Sequence, residues 1–599
     1  MRTVALDTET WLLSPKGRLV PRLVCVQLCE DGIAASVWHR EQARDLLWAL
    51  FTDPVVEIVG HNVAFDLAVV CGAFPELMPL VWSLYDQGRV HDTGIADQLV
   101  HIADGDFRRF RYSLAETWKR HTGRTIGGKD DGWRFRYAEL DAVTDLSQWP
   151  DEALRYARED ARVTWLLWQR LRDRLLPTYQ DQVRAAWALH LTSAWGMRAD
   201  PVRVQALAAR LGREREQAAE TLRLHGVLRE DGTIDTKKVQ QIVVESSNGE
   251  VARTPTGKVQ TTDKVLADLD HPTAQALREY RSASLLTNTF LPHLQAATVA
   301  PVCPRYSVLV DSGRTSSSNP NIQQQPREGG VREAWAPRPG FVFVSADYAA
   351  AELSAVAQIC LRGFGFSRLA EQINAGLDPH LALAAHLLKI PYAEAEKRRK
   401  GASIKRTRGL AKAANFGFWG LLSPAAFQGY AQGYGVTIDL QEAFATKGHW
   451  QAVYPESKPY FAWVKAKTRG GKAQITVPTC GFVRGGLFAT EAANTLFQTT
   501  IAVGAKRALW QVARECWGAG SALSGSRPVA FVHDEILLET PRAQAHDAAM
   551  RLAEVMVECM RTVIPDVRCD AEPLVSEVWS KAADPVYDAA GRLVPWRLQ

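Results

Sequence analysis

The stretch FVHDEILLE, Phe531–Glu539, sets His533, Asp534 and Glu535 between two apolar flanks, FV and ILL. The flanks have strand character, so the pattern predicts a half-buried hairpin with a polar trio at its bend. A tight hairpin turn needs only Asn-Gly or Asp-Gly. Two carboxylates beside a histidine at a strand end are unfavourable unless a cation or a solvent-filled cleft receives them. The fold must therefore open a charged cavity at this point.

A chain of 599 residues is too long for one core and is expected to divide into several domains. At 46% hydrophobic and 23% charged its composition is that of a globular protein, neither disordered nor fibrous. A formal net charge of +5 permits a polyanionic partner without requiring one, so locally placed groups must decide. The nine cysteines are scattered, with only Cys25 and Cys29 close and no CxxC pair. That argues against a disulfide framework or a zinc site and fits a reducing cytosol. No apolar run approaches the length of a membrane span. MRTVALDTET begins at once with a strand pattern, which leaves no room for a leader. A cytoplasmic protein of a bacterium, or of something that replicates inside one, is expected.

Residues 1 to about 175 alternate short apolar strands (TVALDT, LVCVQLC, AASVWH, VVEIVG) with helical stretches such as EQARDLLWALF, the order of an α/β domain. The amphipathic run DEALRYAREDARVTWLLWQRLRDRLL closes it before Pro177. From 179 to 300 the pattern is helical and charged, interrupted by SSNGEVARTPTGKVQTTDK. Its charge runs read as solvated faces, ahead of a basic tip that grips phosphates. SGRTSSSNPNIQQQPR, 312–327, reads by itself as a polar surface loop. The strand GFVFVSADY and a helix follow, and 403–416 is helical. There Arg408, Lys412 and Phe416 stand at i,i+4 spacing, on one face drifting about 40° per step. The last hundred residues hold a long helix, the opening hairpin and a further helix. There is no internal repeat.

The candidate chemistry lies at strand and helix ends. Alternation puts Asp7 and Glu9 of DTET on one strand face. GHNVAFD offers Asn62, Phe65 and Asp66, and YAREDARVT sets Tyr156 and Asp160 on one helix face. Singly, each is ordinary: most DxE pairs are surface loops and most YxxxD pairs decorate helices. Asp347 ends the strand FVFVSAD and Glu352 opens the next helix; alone, Asp347 reads as a cap or turn residue. Arg408 and Lys412 repel by roughly a few tenths of a kcal/mol unless an anion lies across them.

The ordered set is more specific. DTET, NVAFD and YARED resemble, in that order, the tyrosine-bearing form of the DEDD superfamily of 3′–5′ exonucleases. VSADYAAAEL, RGLAKAANFGFWG and FVHDEILLE resemble motifs A, B and C of family A DNA polymerases, and SGRTSSSNPNIQ resembles that family's motif ahead of the palm. The resemblance implies a ribonuclease H-like α/β exonuclease domain (1–178), followed by an α+β right-hand polymerase. The latter divides into helical linker and thumb (179–300), first palm part (301–362), fingers (363–480) and second palm part (481–599). It implies that Asp7, Glu9, Asp66 and Asp160 hold two divalent ions, Mg²⁺ or Mn²⁺, with Tyr156 orienting the attacking water. Asp347 and Asp534 hold two more, with Tyr348 at the metal and nucleotide, Glu535 in support and His533 at the primer terminus. Arg408 and Lys412 face the nucleotide phosphates, Lys412 also being the candidate acid for the leaving group. Phe416 stacks on base and sugar, and Glu352 blocks a ribose 2′-hydroxyl. Arg314 and Gln498 probe the minor groove, whose acceptors all correct pairs share. Asn321 and Gln323 touch DNA, and Trp419 stacks on the template base.

The implied activity is template-directed DNA synthesis with proofreading, in replication; primer-template DNA and dNTPs are the partners. No feature identifies a processivity factor. The alternative is a 3′–5′ exonuclease whose polymerase half is a degenerate DNA-binding scaffold. Single-subunit RNA polymerases share motifs A to C, but Glu352 and Phe416 point to deoxynucleotides. The chain departs from the family in two places. Motif A reads Ala349-Ala350-Ala351 and Ser354 where Ser-Gln-Ile and Arg are usual. Motif B, NFGFWG, is one residue shorter between NFG and the last Gly and lacks the usual Tyr. Both suggest a divergent, phage-type branch. No 5′-nuclease precedes the exonuclease, so primer removal is expected elsewhere.

Overall fold

The structure, a computed structural model, describes residues 1–12, 19–126, 132–247, 251–254 and 256–598. The apolar runs of the amino-terminal segment become β1 (Arg2–Thr10), β2 (Leu23–Cys29), β3 (Ala35–His39), β4 (Val56–Gly60) and β5 (Val90–Asp92). They form a five-stranded sheet in the order β3-β2-β1-β4-β5. The first three run antiparallel as a meander. β4 and β5 join the other side of β1 in parallel. Parallel neighbours need crossovers. The helix Arg40–Thr52 leads into β4, and α1 (Val63–Ala73) with the helix Met78–Asp86 leads into β5. Every residue of β2 is buried, as expected of a strand covered on both faces. β5, only three residues long, is too short to show as a sequence period.

The next amphipathic run folds as α2 (Asp151–Leu171), whose first turn carries Asp151 and Glu152 where the helix dipole favours acids. Ala153, Tyr156, Ala157, Val163, Leu167 and Trp168 bury one face, which packs on β1 and β2. The helix stops at Leu171 and tightens into a 3-10 turn, Arg172–Arg174, short of Pro177. α3 (Tyr179–Trp195) follows.

Two compact units result: residues 1–195, 305–318 and 344–574, and residues 196–304, 319–343 and 575–599. α3 falls in the first, although its pattern matches the helices after it. The reason is its packing: Trp187 is buried against Tyr85 and Trp82, with ring centroids 5.4 and 5.9 Å apart. The rest of that unit is built on β6 (Phe341–Tyr348), α4 (Ala351–Phe364), α5 (Pro379–Leu388), α6 (Ala402–Trp419), α7 (Pro424–Gln432), α8 (Ala489–Trp517), β7 (Arg527–Val532), β8 (Glu535–Pro541), α9 (Ala545–Arg561) and β9 (Ala571–Ser576). A second sheet has the order β7-β8-β6-β9. The long α8 packs on α9 and α3. The amino-terminal domain docks on this second part through Gln474, which donates to the Ala103 carbonyl at 2.8 Å, and through Arg108, 2.8 Å from Asp311.

The other unit is mainly helical, with Pro201–Leu224, Pro272–Leu285, a π turn Leu286–Phe290 and Leu291–Val299. Leu222, Val227, Val239, Val243 and Leu277 form its small core. Within the charged interruption read above as solvated or phosphate-gripping, 248–250 and 255 lie outside the described residues. Among the described residues no helix is long and apolar enough to cross a membrane.

Candidate active sites

β1 delivers Asp7 and Glu9 opposite Gln27 and Cys25 of β2. Asp66 stands in the first turn of α1, whose start is fixed by Asp92: its Oδ2 accepts from Val63 N at 2.9 Å. Thr8, between the two acids of β1, donates its hydroxyl to Asp66 Oδ1 at 2.7 Å. Burial pushes the Asp66 carboxyl up to about 7, opposed by the Thr8 bond and helped by the charge of Asp92. On α2, Tyr156 is 6% exposed. Its hydroxyl is pushed up by burial and then by Asp160, Glu9 and Asp7, three carboxylates acting on one phenol. The strand, the two helices and the five predicted residues thus share one locality. Sequence reasoning missed Asp92; its signal is an Asp directly before a helical run.

The hairpin has the predicted form. Val532 pairs with Glu535, so His533 and Asp534 are the two turn residues. His533 takes φ +62°, a left-handed value that a two-residue turn demands and a non-glycine residue pays for. β8 lies beside β6 in the sheet, which carries Asp347 near its end. The Asp534 carboxyl is pushed up to about 7, by burial first and then by Asp347 and Glu352, with Arg314 opposing. The neighbouring strands β8 and β6 thus bring Asp534 and Asp347 close enough for the charge of one to act on the other. Tyr348 turns inward instead and donates its hydroxyl to the Met556 carbonyl at 2.7 Å, so its side chain is committed to the core. Among the described residues no three Asp, Glu, His or Cys side chains are grouped so as to hold a metal ion.

Glu352 lies in the first turn of α4, and Arg314 donates to its Oε1 at 2.8 Å. The loop bearing Arg314 is held by α8. Thr499 donates to the Ser312 carbonyl at 2.8 Å, and Lys506 to the carbonyls of Val308 and Gly313 at 2.6 and 2.8 Å. Lys506 is 1% exposed, and burial pushes its ammonium down to about 7. A lone Lys in an alanine-rich helix gives no sequence signal of this.

α6 carries Arg408, Lys412 and Phe416, with Lys412 exposed. Arg408 donates through Nε and Nη2 to Asp378 Oδ2 at 2.9 and 2.7 Å, while Asp378 Oδ1 caps α5. Burial alone would raise the Asp378 carboxyl; the Arg408 bond overrides it and holds it low. His380 lies 5.3 Å from the Phe416 ring and is pushed down to about 4 by burial, Arg408 and Lys412 adding. A cavity of about 250 Å³ is lined by Glu352, Phe416 and Gln498, with Tyr430, Tyr434, Asn494 and Phe497. Asn321 and Gln323 belong to the other unit, Gln323 buried in a short 3-10 turn.

A DNA polymerase family A model matches residues 203–581, and a 3′-5′ exonuclease model matches residues 1–176. The chain belongs to DNA polymerase family A. DNA polymerase I of Chloroflexus aurantiacus is 25% identical over 95% of this chain, which spans 60% of that relative. DNA polymerase I of Aquifex aeolicus is 23% identical over 88% of each. The thermostable DNA polymerase I of Thermus filiformis is 26% identical over 73% of this chain and 52% of its own length. The POL domain of Pol1 from M. smegmatis, solved in complex with DNA primer-template and dNTP, shares the fold with a TM-score of 0.70 at 19% identity, over 96% of this chain and 95% of that one.

One residue carried over from the family motifs is corrected. Trp419 is 1% exposed, packed edge-on against Trp450 at 4.8 Å and Tyr460 at 5.6 Å. Its ring is enclosed by other aromatic side chains and leaves no open face for a template base. An i+3 step from Phe416 turns about 60° the opposite way from an i+4 step's 40° drift, which carries Trp419 off the polymerase face.

The crowding at the hairpin has a cost that can be measured. A carboxyl whose folded pKa is raised destabilises the fold once ionised, so the penalty builds as pH rises from the ordinary carboxyl value of about 4 and stands in full above about 7. In EDTA near pH 8, Asp534→Asn is expected to melt roughly 2–5 °C above wild type, with the gap narrowing below about pH 7 and closed near pH 4. Equal melting temperatures at both pH values would remove the repulsion from the account.

Proposed function

We propose that the chain is a template-directed DNA polymerase that adds dNTPs to a primer 3′ end and removes misplaced nucleotides with a separate 3′–5′ exonuclease site. The observation that carries it is the placement of β8 beside β6, which brings Asp534 near Asp347, acids from distant parts of the chain.

Both acidic sets offer hard oxygen donors, and the repulsion that Asp347 and Glu352 exert on Asp534 is one that a divalent cation would relieve. Mg²⁺, or Mn²⁺, fits that chemistry, two ions per site. Asp347, Asp534 and the Tyr348 carbonyl would hold them in the palm; Asp7, Glu9, Asp66 and Asp160 in the exonuclease. When bound, such ions supply Lewis acidity to the phosphoryl oxygens and lower the pKa of the attacking hydroxyl or water.

The chain's own groups do the rest. Arg408 and Lys412 bind the triphosphate, and Lys412 protonates the leaving pyrophosphate. Phe416 supports base and sugar while Glu352, braced by Arg314, crowds the 2′ position. Arg314 and Gln498 read minor-groove acceptors of the nascent pair, Asn321 and Gln323 contact the DNA, and His533 meets the primer end beside Glu535. Tyr156 orients the water in the exonuclease. Primer-template DNA and dNTPs are the substrates, as in the solved relative's complex. Replication in a bacterial cytoplasm or an infected cell is the setting. The relatives named are bacterial, and a phage-type origin rests on the motif A and B departures.

The test is templating. On four primed templates differing only in the next base, wild type is expected to add only the complementary dNTP. Addition that ignores the template base would overturn the reading. Phe416 gives a second expectation. Its ring lacks a hydroxyl near the sugar's 3′ position, so wild type should disfavour dideoxynucleotides and Phe416→Tyr admit them, by roughly a hundredfold in kcat/KM. Equal termination by both forms would remove the Phe416 assignment.

A further inference from the structure

The polymerase face of α6 runs Arg408, Lys412, Phe416, and its next position is Gly420, at the helix end. A Cβ there would lie 2.8 Å from Asn494 Oδ1, so α8 closes the place where another side chain would stand. With Trp419 in the fingers core, α6 offers no aromatic surface beyond Phe416. The surface comes from α7 instead. Tyr430 lies over Gly417, its ring carbons 3.3 and 3.4 Å from where a Cβ on that glycine would be. Its ring centroid is 5.5 Å from that of Tyr434, and the two hydroxyls are 3.4 Å apart. Both tyrosines line the cavity shared by Glu352, Phe416 and Gln498. Burial, then Tyr434, then the charge of Glu352 push the Tyr430 hydroxyl up, which places it within reach of the Glu352 field.

We propose that the Tyr430 ring is a specificity-determining wall of the nucleotide cavity, holding the sugar against Glu352 so that a ribose 2′-hydroxyl cannot be accommodated. The inference rests on the polymerase reading above. A carboxylate excludes a hydroxyl only if the sugar has nowhere to shift. Arg314 fixes Glu352 at 2.8 Å on one side. The Tyr430 ring, backed by Tyr434 and seated on a glycine, blocks the shift on the other.

The test measures kcat/KM for one dNTP and the matching rNTP opposite the same template base, with the full chain. Tyr430→Ala should lower the dNTP:rNTP ratio by about tenfold or more, and Tyr430→Phe, which keeps the ring, should restore it to within about twofold of wild type. Degradation of single strands by the same preparations shows that each variant is folded. A Tyr430→Ala ratio equal to that of wild type overturns the wall, as does a Tyr430→Phe ratio as low as that of Tyr430→Ala. Wild type that extends no primer would instead overturn the polymerase reading itself.

Discussion

Asp347→Ala is expected to lower primer extension on the order of a thousandfold or more, several kcal/mol of transition-state stabilisation, while degradation of single strands stays within about twofold of wild type. The size follows from what the residue does. Asp347 and Asp534 lie on neighbouring strands, and the charge of Asp347 raises the Asp534 carboxyl. Removing Asp347 relieves that repulsion, so the variant should fold at least as well as wild type. It also removes one of the two carboxylates proposed to hold the metal ions there. The acids proposed for the exonuclease are carried by other elements, β1, α1 and α2. Loss of both activities together would contradict two separate sites.

Asp7→Ala should do the reverse: the 3′–5′ degradation of single strands falls by a similar factor and extension persists, with more misincorporated ends left in place. Asp7 lies near Glu9, Tyr156 and Asp160, whose fields meet at the Tyr156 hydroxyl. Asp66 is linked to the same strand by Thr8 at 2.7 Å. The expected consequence is specific to proofreading, measured as removal of a mismatched primer end before extension. Retained proofreading in Asp7→Ala would show that the acid cluster is not the exonuclease centre.

Much of the fold was legible because the elements that hold the acids carry strong local patterns. β1, β2 and β4 are apolar runs, and the hairpin tip is polar where its flanks are not. Register then follows from the pleat, and Val532 opposite Glu535 leaves His533 and Asp534 for the turn. The pairings that finish the sites were not legible, because they join residues with no shared period. Arg408 meets Asp378, which reads in sequence only as a cap before a proline. Lys506 holds the Arg314 loop from the middle of an apolar helix. Trp419 shows the limit most plainly: a motif shortened by one residue changes helical phase, and phase decides whether a ring meets solvent or core.

One chain is expected both to lengthen and to shorten a primer, each at its own set of acids. A 5′-labelled primer on a template, incubated with wild type and Mg²⁺, tests it most directly. With all four dNTPs the primer should grow to the template end; with none it should shorten from its 3′ end; and EDTA should stop both. A primer that shortens but never grows would contradict the account and leave an exonuclease attached to an inert DNA-binding scaffold.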